Sequence, residues 1–162
     1  MRNEENLSNT HYSSHITTHL IPGDSFTDSR GNLRFVNGFN FDDVKRFYTI
    51  TNKSTDIVRA WQGHKIENKY FHVTSGSFVI CAVKIDNWKS PSIDLPVEKF
   101  ILCANKSQIL NISAGYATGI KALDENSKLI VFSSNTLEDS SNDEYHFDAD
   151  MWVNWEKEKS NG

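Results

Sequence analysis

Polar and ionisable side chains gather between residues 59 and 72, within a stretch that otherwise has the pattern of β-strands. They are Arg59, Gln62, His64, Lys65, Glu67, Lys69 and His72. Histidine can exchange protons near neutral pH, because its unperturbed pKa of about 6.5 lies in that range. Arginine and lysine bind anions and stabilise oxyanions. Polar side chains that interrupt a strand in this way indicate a functional site, and metal binding is the first hypothesis to test.

Strand geometry divides this stretch into two faces, since successive side chains of a strand point to opposite sides. Gln62 and His64 share one face. Arg59, Trp61 and Gly63 share the other, unless Gly63 marks a bulge. An arginine inside a strand is costly without an anionic partner, which favours a functional Arg59. Trp61 has two interpretations, a stacking surface for a base or sugar and an ordinary core side chain.

The elements that must position these residues are short strands rich in β-branched and aromatic residues, with turns about ten residues apart. The predicted strands are 32–35, 45–51, 57–61, 69–74, 77–85, 97–104, 107–112, 119–123 and 128–133. A tight turn is predicted at Ser75-Gly76, a solvated loop at 139–144 and a helical turn or two within 148–159. Many short, evenly spaced strands are typical of a sandwich or barrel, and closure removes the sheet edges. The pattern predicts an all-β fold.

The bulk composition bounds the function. The chain has 162 residues and a net charge of −4 with no basic block, which argues against sequence-independent binding of nucleic acid. No apolar stretch is long enough to span a bilayer. Cys81 and Cys103 lie in apolar runs and resemble buried thiols of a reduced, cytoplasmic protein, although a disulfide stays open. We predict a polar N-terminal segment over 1–20, partly disordered or exchanged between strands, and one barrel domain over 21–158.

A run of matching residues suggests a family. The stretch KRFYTITNKSTDIVRAWQGHK, residues 45–65, resembles the sugar nucleotide 3,4-ketoisomerases, which share its Lys-Arg, its Tyr and an Arg followed by His-x-His-Lys at the same spacing. Residues 28–31 (DSRG) match the Asp-x-Arg-Gly turn of these enzymes and of the dTDP-4-dehydrorhamnose 3,5-epimerases. Residues 111–119 and 152–155 resemble later epimerase segments. The matches cover about residues 26 to 155, and the chain is similar to this cupin-fold family.

The resemblance implies a single-domain cupin (jelly-roll) β-barrel that is metal-free, needs no cofactor and forms a homodimer through its N-terminal strands. It also implies an isomerase or epimerase that acts on a dTDP-linked 4-keto-6-deoxy sugar in surface-polysaccharide synthesis. Such an enzyme moves protons beside the ketone. It requires a base that titrates near neutrality and a group that stabilises the enolate.

The same resemblance implies roles for individual residues. His64 would be the base and Tyr48 a proton-returning acid. Arg59 or Lys65 would hold the developing oxyanion. Arg30 would meet the pyrophosphate or base of the nucleotide, often across a dimer interface in the relatives.

Two further residues complete the predicted set. Gln62 would orient the substrate by hydrogen bonding, and His72 would contact the substrate, although a structural His72 is equally consistent with the pattern. By default Lys65, Glu67 and Lys69 belong to a solvated strand end.

The chain departs from the family at the position of the epimerase base, where Gln62 cannot take a proton at neutral pH. A cupin metal site is disfavoured, because Gln62 and Thr118 stand where two of its histidines are expected. The epimerase acid tyrosine has no counterpart in 128–135. Catalysis would therefore depend on His64. The alternative is a barrel that binds a sugar or nucleotide sugar without turning it over, and a purely structural dimerisation module is a third possibility.

Overall fold

The computed structural model of the chain describes residues 18–160. Within them, strands account for most of the regular structure, with one short α-helix, α1 (Leu137–Asn142), and one 3-10 turn (Trp155–Lys157). The strands are β1 His19–Pro22, β2 Asp24–Asp28, β3 Gly31–Phe35, β4 Arg46–Ile50, β5 Val58–His64, β6 Lys69–Ser75, β7 Ser77–Lys84, β8 Val97–Cys103, β9 Gln108–Ile112, β10 Tyr116–Ala122, β11 Lys128–Ser133 and β12 Tyr145–His146. The all-β prediction is confirmed.

Ten of these strands form two five-stranded antiparallel sheets. The first sheet has the order β1-β9-β6-β11-β4, and the second has the order β12-β5-β10-β7-β8. Strands β2 and β3 form a separate hairpin. Apolar side chains from the facing sides of both sheets meet in one core, to which the first sheet contributes Phe71 and Leu129 and the second contributes Phe78 and Ile80. Burial of these side chains supplies the main driving force for pairing the sheets.

The outer face of the second sheet is also buried, because the C-terminal segment packs across it. Trp61 of β5 and Val79 of β7 lie here against Val153 and Trp155, and Trp61 is fully buried. The indole nitrogens of Trp61 and Trp155 both donate hydrogen bonds to the carbonyl of Ala149, at 3.0 and 2.8 Å. Of the two interpretations of Trp61, the structure therefore supports the core side chain.

Two glycines allow this close packing. A Cβ atom on Gly63 would lie 2.8 Å from the ring of Trp88, and one on Gly119 would lie 2.5 Å from the ring of Trp155. Both approaches are too close for any larger residue. The β5–β10 pairing also has an irregularity, which falls between Thr118 and Ile120 rather than at Gly63.

The strand predictions hold at all nine positions, with small differences at the ends. The largest differences are in β5, which continues three residues further to His64, and in β10, which begins at Tyr116 rather than at Gly119. The predicted turn at Gly76 is present, with a positive φ of 67°. Strands β1, β2 and β12 were not predicted. They are short, and their pairing with distant strands or within a hairpin leaves little periodicity in the sequence.

The predicted solvated loop at 139–144 is wrong in part. Residues up to Asn142 belong to α1, and Ser140 and Asp143 are buried. Thr136 caps this helix by accepting a hydrogen bond from the backbone N–H of Asp139 at 3.1 Å. The spacing Thr-x-x-Asp is a capping signature, which the charge-rich composition of the segment obscured.

The N-terminal boundary and the two cysteines bear on two further predictions. Residues 1–17, most of the predicted N-terminal segment, lie outside the described residues, and the predicted boundary after residue 20 falls within β1. Cys81 is buried and Cys103 half-buried, and both are free thiols. Burial raises the pKa of Cys81 to about 12, as expected for an inert core thiol. No helix within 18–160 is long and apolar enough to cross a membrane.

Candidate active site

A cavity of about 730 Å³ opens between the two sheets, along the length of β5. Strands β4, β5, β6 and β10 line it, and α1 and the residues before β12 complete its rim. The polar side chains in its lining include Arg46, Tyr48, Arg59, Gln62, His64, Lys69, Thr118, Ser140, Glu144 and His146. Its size suits a small organic ligand.

Strand alternation places the two polar side chains of β5 in this cavity. Gln62 and His64 point between the sheets, while Trp61 and Gly63 point to the outer face, as the sequence pattern predicts. Pairing with Thr118 and Tyr116 of β10 holds this part of β5 in register.

His64 forms a buried pair with Glu67. The Nδ1 atom of His64 lies 2.9 Å from Oε2 of Glu67, and the two side chains are 5% and 0% exposed. Within the described residues, Nε2 of His64 has no hydrogen-bond partner although it is buried. A carboxylate beside Nδ1 stabilises an imidazolium that forms when Nε2 takes a proton. The arrangement is therefore that of a general base beside a carboxylate.

Glu67 is held by donors from three elements. Its Oε1 accepts hydrogen bonds from the hydroxyls of Ser133 and Ser140, the latter at 3.0 Å, and Nη2 of Arg46 lies 3.4 Å away. Burial alone would raise the pKa of Glu67. The contact with His64, the charge of Lys69 and the hydrogen bond from Ser133 outweigh it and lower the pKa to about 2. Glu67 is thus a carboxylate at every pH near neutrality.

Asp143 fixes the turn that carries Glu67. Its carboxylate accepts hydrogen bonds from the backbone N–H groups of Lys65, Ile66 and Glu67, at 2.9, 2.9 and 3.1 Å. These hydrogen bonds give the backbone N–H groups of the turn an acceptor and fix the position of Glu67 relative to His64. Asp143 acts on the site through the backbone and does not line the cavity.

A row of hydrogen-bonded side chains crosses the cavity through Gln62. The Nζ of Lys69 donates to Oε1 of Gln62 at 3.0 Å, and Nε2 of Gln62 donates to Glu144. Oε1 of Glu144 lies 3.2 Å from Nε2 of His146 at the rim. Burial lowers the pKa of Lys69 to about 8, although the charge of Glu67 opposes the shift. Gln62 therefore acts as a hydrogen-bonded bridge between a buried cation and an anion.

Tyr48 lies on the opposite wall, with the guanidinium of Arg46 5.1 Å from the centre of its ring. Burial and the charge of Glu67 raise the pKa of Tyr48 to about 12, which the charge of Arg46 only partly offsets. The phenol is protonated at neutral pH, as a proton donor must be.

Arg59 is exposed at the mouth of the cavity, and its Nε donates to Oδ1 of Asn52 at 2.9 Å. This position suits contact with an anionic part of a ligand that extends out of the cavity. The alternation pattern predicts Arg59 on the face of Trp61, and this prediction is wrong. At the irregularity of the β5–β10 pairing Ala60 and Trp61 both pack on the outer face, so Arg59 lines the cavity with Gln62.

The structure does not bring three of the predicted site residues into the cavity of this chain. Lys65 is exposed, with Nζ 4.7 Å from the ring centre of Tyr145. His72 lies on the outer side of the first sheet, where Nδ1 is 2.9 Å from the carbonyl of Gln108. Arg30 is in the β2–β3 turn and pairs with Asp28, which lowers the pKa of that carboxyl.

Sequence reasoning missed the cavity residues Arg46, Lys69, Ser140, Glu144 and His146, and it missed Glu67 beside His64. The prediction of a solvated strand end holds for Lys65 but is wrong for Glu67 and Lys69, which are buried. Alternation within β6 contained the signal for Lys69, because Lys69 shares a face with the apolar Phe71. Glu67 gave no such signal, since it lies in a turn and its partners are distant in the sequence.

The ionisable groups of the cavity are not arranged as a metal centre. Within 18–160, no group of three or more His, Cys, Asp and Glu side chains is arranged to hold a metal ion. The two potential ligands His64 and Glu67 face each other at 2.9 Å, which leaves no space for an ion between Nδ1 and Oε2. The donor set fits proton transfer better than metal binding.

Comparison with known proteins identifies the family and the fold. A family model described as "FdtA: WxcM-like, C-terminal" matches residues 16–157. No curated protein sequence matches the chain.

Several solved structures share its fold. The sugar 3,4-ketoisomerase QdtA from Thermoanaerobacterium thermosaccharolyticum, in complex with TDP, superposes with a TM-score of 0.62 at 22% identity, covering 80% of this chain and 88% of that one. The rmlC epimerase from Mycobacterium tuberculosis has a TM-score of 0.69 at 19% identity, covering 88% and 76%. The TDP-quinovose 3,4-ketoisomerase WlaRB from Campylobacter jejuni has a TM-score of 0.58 at 21% identity, covering 86% and 95%. The predicted likeness to this cupin group is confirmed.

Proposed function

Because this chain belongs to the FdtA (WxcM-like, C-terminal) family, we propose that it is an isomerase or epimerase of a dTDP-linked 4-keto-6-deoxy sugar. The similar structures are enzymes that act on TDP sugars, which supports this substrate class. The observation that carries the proposal is the buried pair of His64, which lines the cavity, and Glu67 behind it.

The chemistry begins at a carbon beside the ketone, whose proton is acidic because the enolate delocalises the charge. Nε2 of His64 takes this proton, and the carboxylate of Glu67 stabilises the resulting imidazolium. The electron pair moves onto the ketone oxygen to give an enolate. Return of a proton to the same carbon then gives an epimer. Return of a proton to the carbon that carried the ketone gives a ketoisomer, because the hydroxyl proton of the first carbon passes to the former ketone oxygen as the new carbonyl forms. Tyr48, protonated at neutral pH, is the proposed donor to carbon.

The nucleotide is proposed to lie at the cavity mouth, where the exposed guanidinium of Arg59 would bind the pyrophosphate. Gln62 would hold the sugar from within the cavity. No organic cofactor is needed for these proton transfers.

We further propose a homodimer, in which Arg30 of one protomer would reach the nucleotide of the other. The exposed Phe26 and Leu33 on the β2–β3 hairpin are apolar surface that a second copy would cover. From this substrate class we also propose that the protein acts in the cytoplasm, in the synthesis of surface polysaccharides.

Isotope exchange tests the proposal. In deuterated water the protein should incorporate deuterium beside the ketone of a dTDP-4-keto-6-deoxy sugar, and NMR identifies the labelled carbon. His64→Asn should slow this exchange by about 10²- to 10⁴-fold, the usual contribution of a general base. Binding of dTDP, measured by calorimetry, should persist. His72→Asn is the matched control, because His72 lies outside the cavity.

The alternative functions give different outcomes. Binding of dTDP without exchange in the unmodified protein would favour a non-catalytic binding barrel, especially if Gln62→His created exchange. Absence of both binding and exchange would leave only the structural module.

A further inference from the structure

The proposed reaction leaves one proton without a carrier when the ketone moves along the sugar. Besides the two proton transfers at carbon, the hydroxyl of the first carbon must lose its proton and the former ketone oxygen must gain one. Epimerisation at a single carbon has no such requirement. A group that takes a proton from one oxygen and returns it to the next would therefore distinguish a ketoisomerase from an epimerase.

Most ionisable side chains of the cavity cannot carry this proton. His64 and Tyr48 already act at carbon in the proposed reaction. The two arginines and the lysine of the cavity lining have no lone pair in their charged forms, so they cannot accept a proton at neutral pH. Gln62 does not titrate. Of the ionisable side chains that line the cavity, Glu144 and His146 remain.

Glu144 and His146 lie beside Gln62 at the rim. His146 of β12 is directly opposite Gln62 of β5, so both side chains share a face and point into the cavity. Nε2 of Gln62 donates to Oε1 of Glu144, and Nε2 of His146 lies 3.2 Å from the same oxygen. In the part of the chain that the structure describes, the hydrogen-bond and ion-pair contacts of this carboxylate are made by Oε1. Its Oε2 therefore keeps its lone pairs for a ligand.

The charge of Glu144 also reaches the interior of the cavity. Burial is the main cause that raises the pKa of Tyr48 and lowers the pKa of Lys69, and the charge of Glu144 adds to the first shift and opposes the second. The Glu144 side chain is 35% exposed, so it contacts solvent as well. This carboxylate is thus placed to exchange protons with a sugar that Gln62 holds in the cavity.

Building on the proposed function, we infer that Glu144 carries a proton between two neighbouring oxygens of the sugar and that the reaction is a ketoisomerisation. After His64 has removed the C–H proton, Oε2 of Glu144 takes the hydroxyl proton of the first carbon. The O–H electron pair becomes the new carbonyl π bond, and the carbon–carbon π pair takes a proton from Tyr48 at the former ketone carbon. Glu144 then returns its proton to the former ketone oxygen.

The protons balance in this sequence. Glu144 ends as the carboxylate with which it began, whereas His64 ends protonated and Tyr48 deprotonated. Proton exchange with solvent restores both. In epimerisation the hydroxyl keeps its proton, so Glu144 would have no part in it.

The test follows two events in one incubation with a dTDP-4-keto-6-deoxy sugar in deuterated water. NMR measures deuterium incorporation beside the ketone, and the position of the carbonyl carbon reports formation of the ketoisomer. Glu144→Gln and Glu144→Ala should each lower ketoisomer formation by about 10²-fold or more and leave deuterium exchange within about twofold of the unmodified protein. Glu138→Gln, at an exposed carboxylate of α1 outside the cavity lining, is the control and should change neither.

The outcomes separate this inference from the proposed function. Normal ketoisomer formation in either Glu144 variant would overturn the role of Glu144. An equal fall of exchange and ketoisomer formation would overturn it too, because the carboxylate would then act at the carbon step. Calorimetry with dTDP shows which variants are folded, and loss of binding in both would assign Glu144 to binding or folding instead. Exchange without ketoisomer in the unmodified protein would overturn the inference alone, and no exchange would overturn both.

Discussion

Strand β5 separates two buried regions of different character. Its inner face carries Gln62 and His64 into a cavity with charged groups, and its outer face carries Trp61 and Gly63 into an aromatic layer under the C-terminal segment. On the outer face both indole nitrogens of the tryptophan pair have an acceptor. On the inner face, within the described chain, Nε2 of His64 is buried without a partner.

This difference indicates what each region contributes. Apolar burial on the outer face stabilises the fold without exposing any reactive group. Burial of ionisable groups on the inner face costs free energy that only partners or a ligand offset. The outer region therefore stabilises the fold, whereas the inner region holds ionisable groups that are available to a ligand.

The largest effect on stability should come from the outer face. Trp155→Ala should lower the free energy of unfolding by about 3–5 kcal/mol, because it removes a buried aromatic side chain and leaves a cavity. Chemical denaturation measures this change. Ile66→Ala, at a residue 71% exposed, is the control and should change stability by about 0.5 kcal/mol or less. A similar loss of stability in both variants would show that the burial of Trp155 on the outer face does not stabilise the fold.

The contribution of the inner face to the free energy of unfolding should depend on pH. Glu67→Gln should lower the free energy of unfolding at pH 7 by about 1.5–3 kcal/mol, the range for hydrogen bonds to a charged group. The pKa of Glu67 is lowered from 4.5 to about 2 on folding, so its stabilisation is complete above pH 4.5 and is lost as pH falls toward 2. The difference between the two proteins should therefore narrow over that interval.

Denaturation at several pH values measures the effect of Glu67→Gln. A difference that stays constant from pH 7 to pH 2 would show that the Glu67 carboxylate is not stabilised by its partners in the folded protein.

The smallest effect is expected at the helix that closes the inner region. Thr136→Ala removes the N-cap of α1 and should cost about 1 kcal/mol. Because α1 carries Ser140, which donates to Glu67, the same variant should modestly slow deuterium exchange. Thr136→Ser keeps the hydroxyl and should restore both values. Full stability in Thr136→Ala would show that tertiary contacts alone hold this helix.

The comparison also shows why sequence reasoning succeeded for one part of the site and failed for another. Alternation along a single strand correctly placed Gln62 and His64 on one face and Trp61 and Gly63 on the other. It failed for Arg59, because the pairing of β5 with β10 is irregular between Gln62 and Arg59. The same rule, applied to β6, would have placed Lys69 beside Phe71 in the interior. A default expectation that charged residues are solvated prevented that conclusion.

The sequence by itself determined the all-β fold, the positions of nine strands, the likeness to the cupin enzymes and the place of His64. These features depend on local periodicity and on residue spacing along the chain. Only the tertiary structure decided that Glu67 and Lys69 are buried, that Asp143 holds the turn of Glu67 and that Lys65 and His72 lie outside the cavity. The reason is physical. Each of these outcomes depends on partners that folding brings together, such as the contact of Asp143 with a turn 76 residues earlier.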